Sequence, residues 1–413
     1  MAKYHRTQTS ATEKNQTLTL KLELPMTELI DGVREDIEAI SAQLGLTILK
    51  AVMQHEIQAQ VGAWGEQRAY RHGQQKGYVV YAGRKLPIHR PRWRSRQKGE
   101  LPLKSYERFQ KDGRMQQAVA AKVLRQCSMR NYEGALDKCL KGYGVKRSSV
   151  SRHFKIATAA EVKALLERPV PPDLLAVVID GQYFARQCII VAVGIDEEGR
   201  KHVLGLWQGG TENLTVVKAL LEDLVARGLD PERQRLFVID GSKALRSAIS
   251  RVLGDKALVQ RCRVHKQRNV TEHLPKDKQG QAAWRLRTAW AKSDPKEAEK
   301  ELRKVVHWLR GINPMAARSL EEGLEETLTL QKLGVNHRLA RYFSSTNAIE
   351  SCFARTGSLM RRTNRWYDGE MVQRWAAAAL KVAAKGFRRI SAFEHLGALK
   401  EALEQSETIL KAA

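Results

Sequence analysis

The chain has 413 residues, 71 lysines and arginines against 45 acidic residues, and a net charge of +26, a balance that points to a polyanionic partner. No apolar run approaches the length that spans a bilayer, so nucleic acid is the expected partner and a membrane is not. The length leaves room for more than one domain. Residues 1–24 are polar and rich in Thr and Gln, without the apolar core of a signal peptide, which reads as a cytoplasmic protein. The five cysteines are odd in number and widely scattered, so no disulfide framework is implied, and only Cys262 and His265 are close enough to suggest zinc.

Residues 1–25 are expected to be disordered. From Met26 the residues Leu29, Val33, Ile37, Ile40 and Leu44 form a helical stripe, and a second helix is expected over 46–61. Between Arg84 and Gly99 the chain carries Arg84, Lys85, Arg90, Arg92, Arg94, Arg96 and Lys98 with no acid among them. Such a run is either a solvated strand-and-loop surface or a contact for the DNA backbone, and Trp93 with two prolines gives it shape. Residues 26–110 are thus read as a mostly helical, basic, DNA-binding region. Residues 111–168 are read as helix-turn-helix-like. Over 143–154, Gly144 suits a turn, Ser148 or Ser149 an N-cap, Val150 and Phe154 an inner face, and Ser151, Arg152 and Lys155 an outer one. An ordinary helical hairpin shows the same pattern.

Three prolines near residue 170 mark a linker, after which the periodicity becomes extended. Leu174-Leu-Ala-Val-Val-Ile179 has the continuous apolar character of a strand buried on both faces and ends in Asp180-Gly181. Strands follow over 188–195 and 202–207, then a helix over 214–226, and Leu236-Phe-Val-Ile239 again closes with Asp240-Gly241. A helix over 243–253 and a strand over 257–262 complete a βββαβαβ order, the ordering of an RNase H-like core. Residues 271–341 read as an all-α insertion, with Ala298, Leu302, Val305, Val306 and Leu309 on one stripe and Leu320, Leu324 and Leu328 on another. The fold class is therefore α/β: a mixed-sheet catalytic core in two parts, 173–270 and 342–413, interrupted by helices.

Asp180 and Asp240 each end an apolar strand, so both leave the sheet at its carboxyl edge, where open α/β sheets bind ligands. Glu350 lies 110 residues beyond Asp240, near the first turn of a helix capped by a hydroxyl among Ser344, Ser345 and Thr346. Three acids suffice for two Mg²⁺ (or Mn²⁺) ions about 4 Å apart, because Mg²⁺ takes only one or two carboxylates and leaves other positions to water and substrate.

At these residues the chain resembles the Mutator-type DDE transposases of bacterial insertion sequences. The segments are Val178-Ile-Asp-Gly-Gln-Tyr183, Val238-Ile-Asp-Gly-Ser-Lys243, Gln260-Arg-Cys-Arg-Val-His-Lys-Gln-Arg-Asn269, and Thr346-Asn-Ala-Ile-Glu350 followed by Arg361-Arg-Thr363. The resemblance implies Asp180, Asp240 and Glu350 as metal ligands and a site role for His265. It also implies transposon ends and target DNA as partners, an oligomer (a homodimer or larger) on paired ends, strand transfer by a 3′ hydroxyl, and a nucleoid-associated bacterial location. His265 would donate to a scissile phosphate, and Cys262 is read as a small buried group. A basic residue seven positions after the Glu is replaced here by Gly357, so that contact either passes to Arg355 or Arg361 or is absent, and Arg362 is a further DNA-contact candidate. The helical module carries Trp284, Trp290 and Trp308; Trp284 and Trp290 are the candidates for stacking on a displaced base, and core packing is the alternative for each. A resolvase-type nuclease and a non-catalytic transposase-derived DNA-binding protein are the alternatives.

Overall fold

The computed structural model describes residues 37–61, 69–81, 84–110, 114–124, 147–184, 186–209, 213–361, 363 and 365–412. The disorder expected of 1–25, the turn at Gly144, Arg362, Cys127 and Cys139 lie outside them. The chain divides into two compact units, Met1–Ala157 and Thr158–Ala413.

The first unit opens with α1 (Ile37–Val61), one helix where the apolar pattern suggested two. Gly45 costs only about 1 kcal/mol inside a helix, too little to break one that buries Met53 and Ile57. The region expected to be mostly helical then forms a sheet, β1 (Ala69–Tyr81), β2 (Arg84–Ser95) and β3 (Gly99–Glu100), antiparallel in the order β1-β2-β3. The reason lies beneath the charge: Leu86 and Ile88 alternate with exposed Pro87 and His89, and with Trp93 they pack on Val79, Met53 and Ile57. Glu56 of α1 accepts the Lys104 and Ser105 amides at 2.8 and 2.9 Å, fixing the start of α2 (Lys104–Gln110); α3 (Arg114–Leu124) follows. Helix α4 (Arg147–Glu167) comes next. Val150 and Phe154 are buried and Ser151, Arg152 and Lys155 exposed as expected, but Ser148 and Ser149 fall inside the first turn and are not its cap.

In the second unit a five-stranded mixed sheet comprises β4 (Leu174–Phe184), β5 (Gln187–Asp196), β6 (Lys201–Gly209), β7 (Arg235–Ile239) and β8 (Ala257–Arg261), in the order β6-β5-β4-β7-β8. β4, β5 and β6 pair antiparallel, whereas β7 and β8 run parallel to β4. Helices α5 (Leu214–Ala226) and α6 (Lys243–Leu253) bury Leu220, Leu224, Leu245 and Ile249 against Val177, Ile179, Phe237 and Ile239 on one face.

A second group of helices follows β8: α7 (Arg263–Glu272), α8 (Lys276–Trp290), α9 (Pro295–Arg310), α10 (Pro314–Glu321), α11 (Thr329–Lys332) and α12 (His337–Phe343). Asp294 caps α9 with Pro295 at its first position, and the stripe from Ala298 to Leu309 is buried. Leu320, Leu324 and Leu328 are buried too, yet not on one helix. Gly323 turns the chain at φ +66°, and Glu325–Leu328 forms a separate 3₁₀ turn. The chain then returns to the sheet through α13 (Asn347–Met360) and α14 (Gly369–Ala384), which pack on β4 and on β5 and β6 respectively, and closes with α15 (Leu396–Ala412). Cys188, Cys262 and Cys352 are buried, and no described helix is long and apolar enough to cross a membrane.

Candidate active site

Register sets the two aspartates at one level of neighbouring strands. Val178 pairs with Val238 across β4 and β7, and Val238 with Gln260 across β7 and β8. Two residues beyond that row stand Asp180, Asp240 and Cys262. Ile179 and Ile239 point into the α5–α6 core, so alternation turns Asp180 to the opposite face, the one α13 covers. Asp180 does not end its strand as the sequence suggested. β4 continues to Phe184 because its antiparallel partner β5 stays paired as far as Gln187, while β7 stops at Ile239. Asp180 is buried, and its Oδ1 accepts the Gly181 amide at 2.8 Å; Asp240 Oδ1 accepts the Ser242 amide at 2.8 Å.

Cys262 caps α7, its sulfur accepting the His265 amide at 3.5 Å, and its own amide donates to Ile239 at 2.7 Å. His265 therefore sits in the first turn of α7, at the carboxyl edge of the sheet. Its ring is held protonated, up to about 9, by the hydrogen bond with Cys262, against the opposing effect of burial and with help from the charges of Cys262, Asp180 and Glu350. Burial raises the Cys262 thiol, but hydrogen bonds with His265 and Thr346 outweigh it and hold the group below its ordinary value.

Glu350 lies in the first turn of α13, with Oε1 3.9 Å from His265 Nδ1. Thr346 occupies the N-cap position, but its hydroxyl does not cap. It donates to Glu350 Oε1 at 2.8 Å and lies 3.3 Å from His265 Nδ1 and 3.6 Å from the Cys262 sulfur. This wholly buried hydroxyl links the histidine to the third acid, a role the sequence left at helix capping. Among the described residues no three His, Cys, Asp or Glu side chains are gathered into a group that could hold a metal ion. The donors are carboxylate oxygens, which suit a hard divalent cation that keeps part of its shell for water and phosphate.

The expected DNA contacts divide. Arg90 and Arg92 both pair with Glu100, and Arg90 also bonds Gln75 at 2.6 Å. Arg94 is half-buried and Arg96 exposed on the β2–β3 turn, and Arg152 and Lys155 project from α4. In the second unit Arg355 is exposed and donates to the Gly386 carbonyl at 3.2 Å, and exposed Arg361 ends α13. Gly357 is buried 3.7 Å from Phe184, measured from where its Cβ would stand. Trp284 is 60% exposed on α8, whereas Trp290 is buried, donates to Thr327 Oγ1 at 3.1 Å and lies under Arg263. Trp290 is therefore a core residue, as the packing alternative expects, while Trp284 presents its ring to solvent.

Residues 11–381 match the family described as "Transposase, Mutator family", and the chain belongs to that family. Among its relatives are transposases for insertion sequence elements. It is 29% identical over 332 residues to that of ISRM5 from Rhizobium meliloti (strain 1021), a match covering 78% of this chain and 79% of that protein. Over 180 residues it is 32% identical to that of IST2 from Acidithiobacillus ferrooxidans, covering 44% and 58%. With that of IS6120 from Mycolicibacterium smegmatis the identity is 25% over 248 residues, covering 58% and 75%.

Proposed function

We propose that the protein is the transposase of an insertion sequence element, cleaving DNA at the element's terminal inverted repeats and joining the freed 3′ hydroxyl to target DNA. Membership of the Mutator family supports the DNA substrate, and the net charge of +26 suits it. The observation that carries the chemistry is the row of Asp180 and Asp240 on neighbouring parallel strands, with Glu350 on the helix that packs on the Asp180 face. The strand order β6-β5-β4-β7-β8, with only β5 antiparallel to all the others, supports an RNase H-like core, and the helices between β8 and α13 are its insertion.

Asp180, Asp240 and Glu350 are the residues that would hold Mg²⁺ or Mn²⁺, which when bound activates the attacking oxygen and stabilises the leaving one. Asp180 and Asp240 have fixed carboxylates, each already holding a backbone amide, which limits the reorganisation on binding. Thr346 aims Glu350, and the protonated His265 supplies a donor for a non-bridging phosphate oxygen, where negative charge accumulates. In the first reaction water attacks phosphorus, a P–O bond to the 3′ oxygen breaks, and that oxygen leaves as a hydroxyl. In the second, the hydroxyl oxygen attacks a target phosphate, forming one P–O bond and breaking another, so no external energy source is required. Both units contribute basic residues to DNA, and an oligomer on paired ends in the bacterial nucleoid is part of the reading.

The test is incubation of the full-length protein with labelled DNA bearing the element's ends in Mg²⁺ or Mn²⁺. Metal-dependent nicks at the end sequence and joined products support the reading. Cleavage indifferent to the end sequence would make the protein a general nuclease, and binding without cleavage a non-catalytic DNA-binding protein.

A further inference from the structure

We infer that Arg261 is a positioning residue that sets the backbone carrying Asp240 by tying it to the helical insertion. The inference rests on the reading of Asp240 as a metal-holding acid.

Arg261 is the last residue of β8 and partners Ile239, the last of β7, so its side chain starts beside the turn that bears Asp240. That side chain is only 6% exposed, and a guanidinium withdrawn from water must find acceptors. It finds them in two different parts of the chain. Nη2 donates to the carbonyl of Gly241, the residue after Asp240, at 2.9 Å. Nη1 donates to the carbonyl of Glu322 at 2.9 Å, where the insertion breaks between α10 and the 3₁₀ turn. Nε is buried with no hydrogen-bond partner among the described residues, so the side chain is placed by its two terminal nitrogens.

Both receiving turns are shaped to admit the guanidinium. Gly241 and Gly323 have φ of +112° and +66°, values that side chains other than glycine's rarely tolerate. A Cβ at Gly241 would lie 2.2 Å from Arg261 Nε, and one at Gly323 2.2 Å from Nη1. The two glycines thus leave space for one group between two backbones. An aliphatic side chain would fill that space without joining its walls.

Other contacts hold the insertion side of the joint still. Lys266 Nζ donates to the same Glu322 carbonyl and to Ser319, each at 2.6 Å, and Glu326 pairs with Arg246 of α6 at 2.6 Å. On the sheet side, the Asp240 side chain accepts the Ser242 amide, its one hydrogen bond among the described residues. The planar fork of Arg261 therefore fixes the Gly241 peptide relative to the insertion, and with it the direction in which Asp240 leaves the sheet.

The test compares wild type with Arg261→Met, Arg261→Lys and Gly323→Ala, and with Asp240→Asn as a reference, all as full-length protein. Mn²⁺ binding is measured by the signal of free Mn²⁺ in electron paramagnetic resonance, alongside thermal melting and cleavage of end-bearing DNA. Weakening of Mn²⁺ binding by about tenfold or more in Arg261→Met, with partial recovery in Arg261→Lys, is expected, since removing a group that orients a metal ligand typically costs about 10- to 100-fold. The Mn²⁺ dependence of cleavage should shift by the same factor. If Arg261→Met does not fold, Gly323→Ala decides, because it presses on the guanidinium without removing it: a raised Mn²⁺ requirement supports the inference and an unchanged one overturns it. Wild-type Mn²⁺ binding in folded Arg261→Met also overturns it. Should Asp240→Asn bind Mn²⁺ and cleave like wild type, the reading of Asp240 itself fails; should Asp240→Asn be inactive and Arg261→Met normal, only the role of Arg261 fails.

Discussion

Asp180 and Asp240 each stand two residues beyond a pair of facing valines, Val178 and Val238, on neighbouring parallel strands. Parallel strands lie about 4.8 Å apart, so two carboxylates at one level of such strands are close enough to share a small hard cation, provided nothing between them must move. The positions that hold this arrangement are testable one by one.

Thr346 is the first. Its hydroxyl donates to Glu350 Oε1 and neighbours His265, and it is wholly buried. Thr346→Val keeps the shape and deletes the donor, which should lower the rate of end cleavage by about tenfold or more, as expected for a hydrogen bond to a charged group. Thr346→Ser should retain most of the rate. Single-turnover cleavage measures both, and equal rates for Val and wild type would remove Thr346 from the site.

The two tryptophans of α8 should behave oppositely. Trp290→Ala leaves a cavity in the insertion's core and removes the hydrogen bond that Thr327 Oγ1 accepts, and should cost about 3–5 kcal/mol in urea unfolding. Trp284→Ala, at an exposed position, should change stability by no more than about 0.5 kcal/mol. If Trp284 stacks on an unpaired base, the same change should weaken binding of DNA with unpaired bases by about 1–3 kcal/mol, read by fluorescence anisotropy. Unchanged affinity would leave Trp284 a surface residue only.

On the basic sheet, one acid restrains two arginines. Glu100 pairs with Arg90 and Arg92, and its carboxyl is held below its ordinary value by the hydrogen bond with Arg92, against the effect of desolvation. Glu100→Gln should free both for phosphate, tightening DNA binding and steepening its dependence on salt. Arg96→Ala should flatten the logarithmic salt slope by about 1. Two unchanged slopes would assign this run to a solvated surface.

Asp196 offers a pH test away from the site. It is buried in the β5–β6 turn, accepts the Glu198 and Arg200 amides and Arg200 Nε at 3.0, 2.8 and 2.8 Å, and has His202 Nε2 at 2.8 Å. Burial pushes its carboxyl up, but hydrogen bonds with His202 and Arg200 outweigh that and hold it below its ordinary value. A carboxyl depressed by folding stabilises fully above its unfolded value, about 4, and loses that contribution as pH falls through the folded value. Asp196→Asn should therefore lower stability at neutral pH by about 1–3 kcal/mol and flatten the acid limb of the melting curve. Superimposable curves for the two proteins would contradict this.

Much of the sheet was legible because apolar runs and turn residues mark strands directly, and β7, α5 and α6 begin or end within a residue of where the pattern puts them. The sequence singles out Asp180 for a partly mistaken reason. An apolar run stops where burial on both faces stops, yet β4 continues for four residues on pairing with β5 alone. The N-terminal sheet was obscured because a run of basic residues masks the alternation of buried Leu86 and Ile88 with exposed Pro87 and His89. Glu350 could be placed near a helix start, but its approach to His265 depends on packing across the whole insertion, which no local pattern encodes. Thr346 and Arg261 were missed because one looks like a cap and the other like one more basic residue; Gly241 and Gly323 were the only local signs of the space Arg261 fills.

The most direct measurement of the central claim is cleavage of end-bearing DNA by Asp240→Cys in Mg²⁺ and in Mn²⁺. A thiolate is a poor ligand for Mg²⁺ and a better one for a softer ion. If Asp240 holds the metal, the variant is inactive in Mg²⁺ and regains measurable cleavage in Mn²⁺, while Asp240→Ala stays inactive in both. Wild-type activity of Asp240→Cys in Mg²⁺, or equal activity of the Cys and Ala variants in Mn²⁺, would contradict the claim.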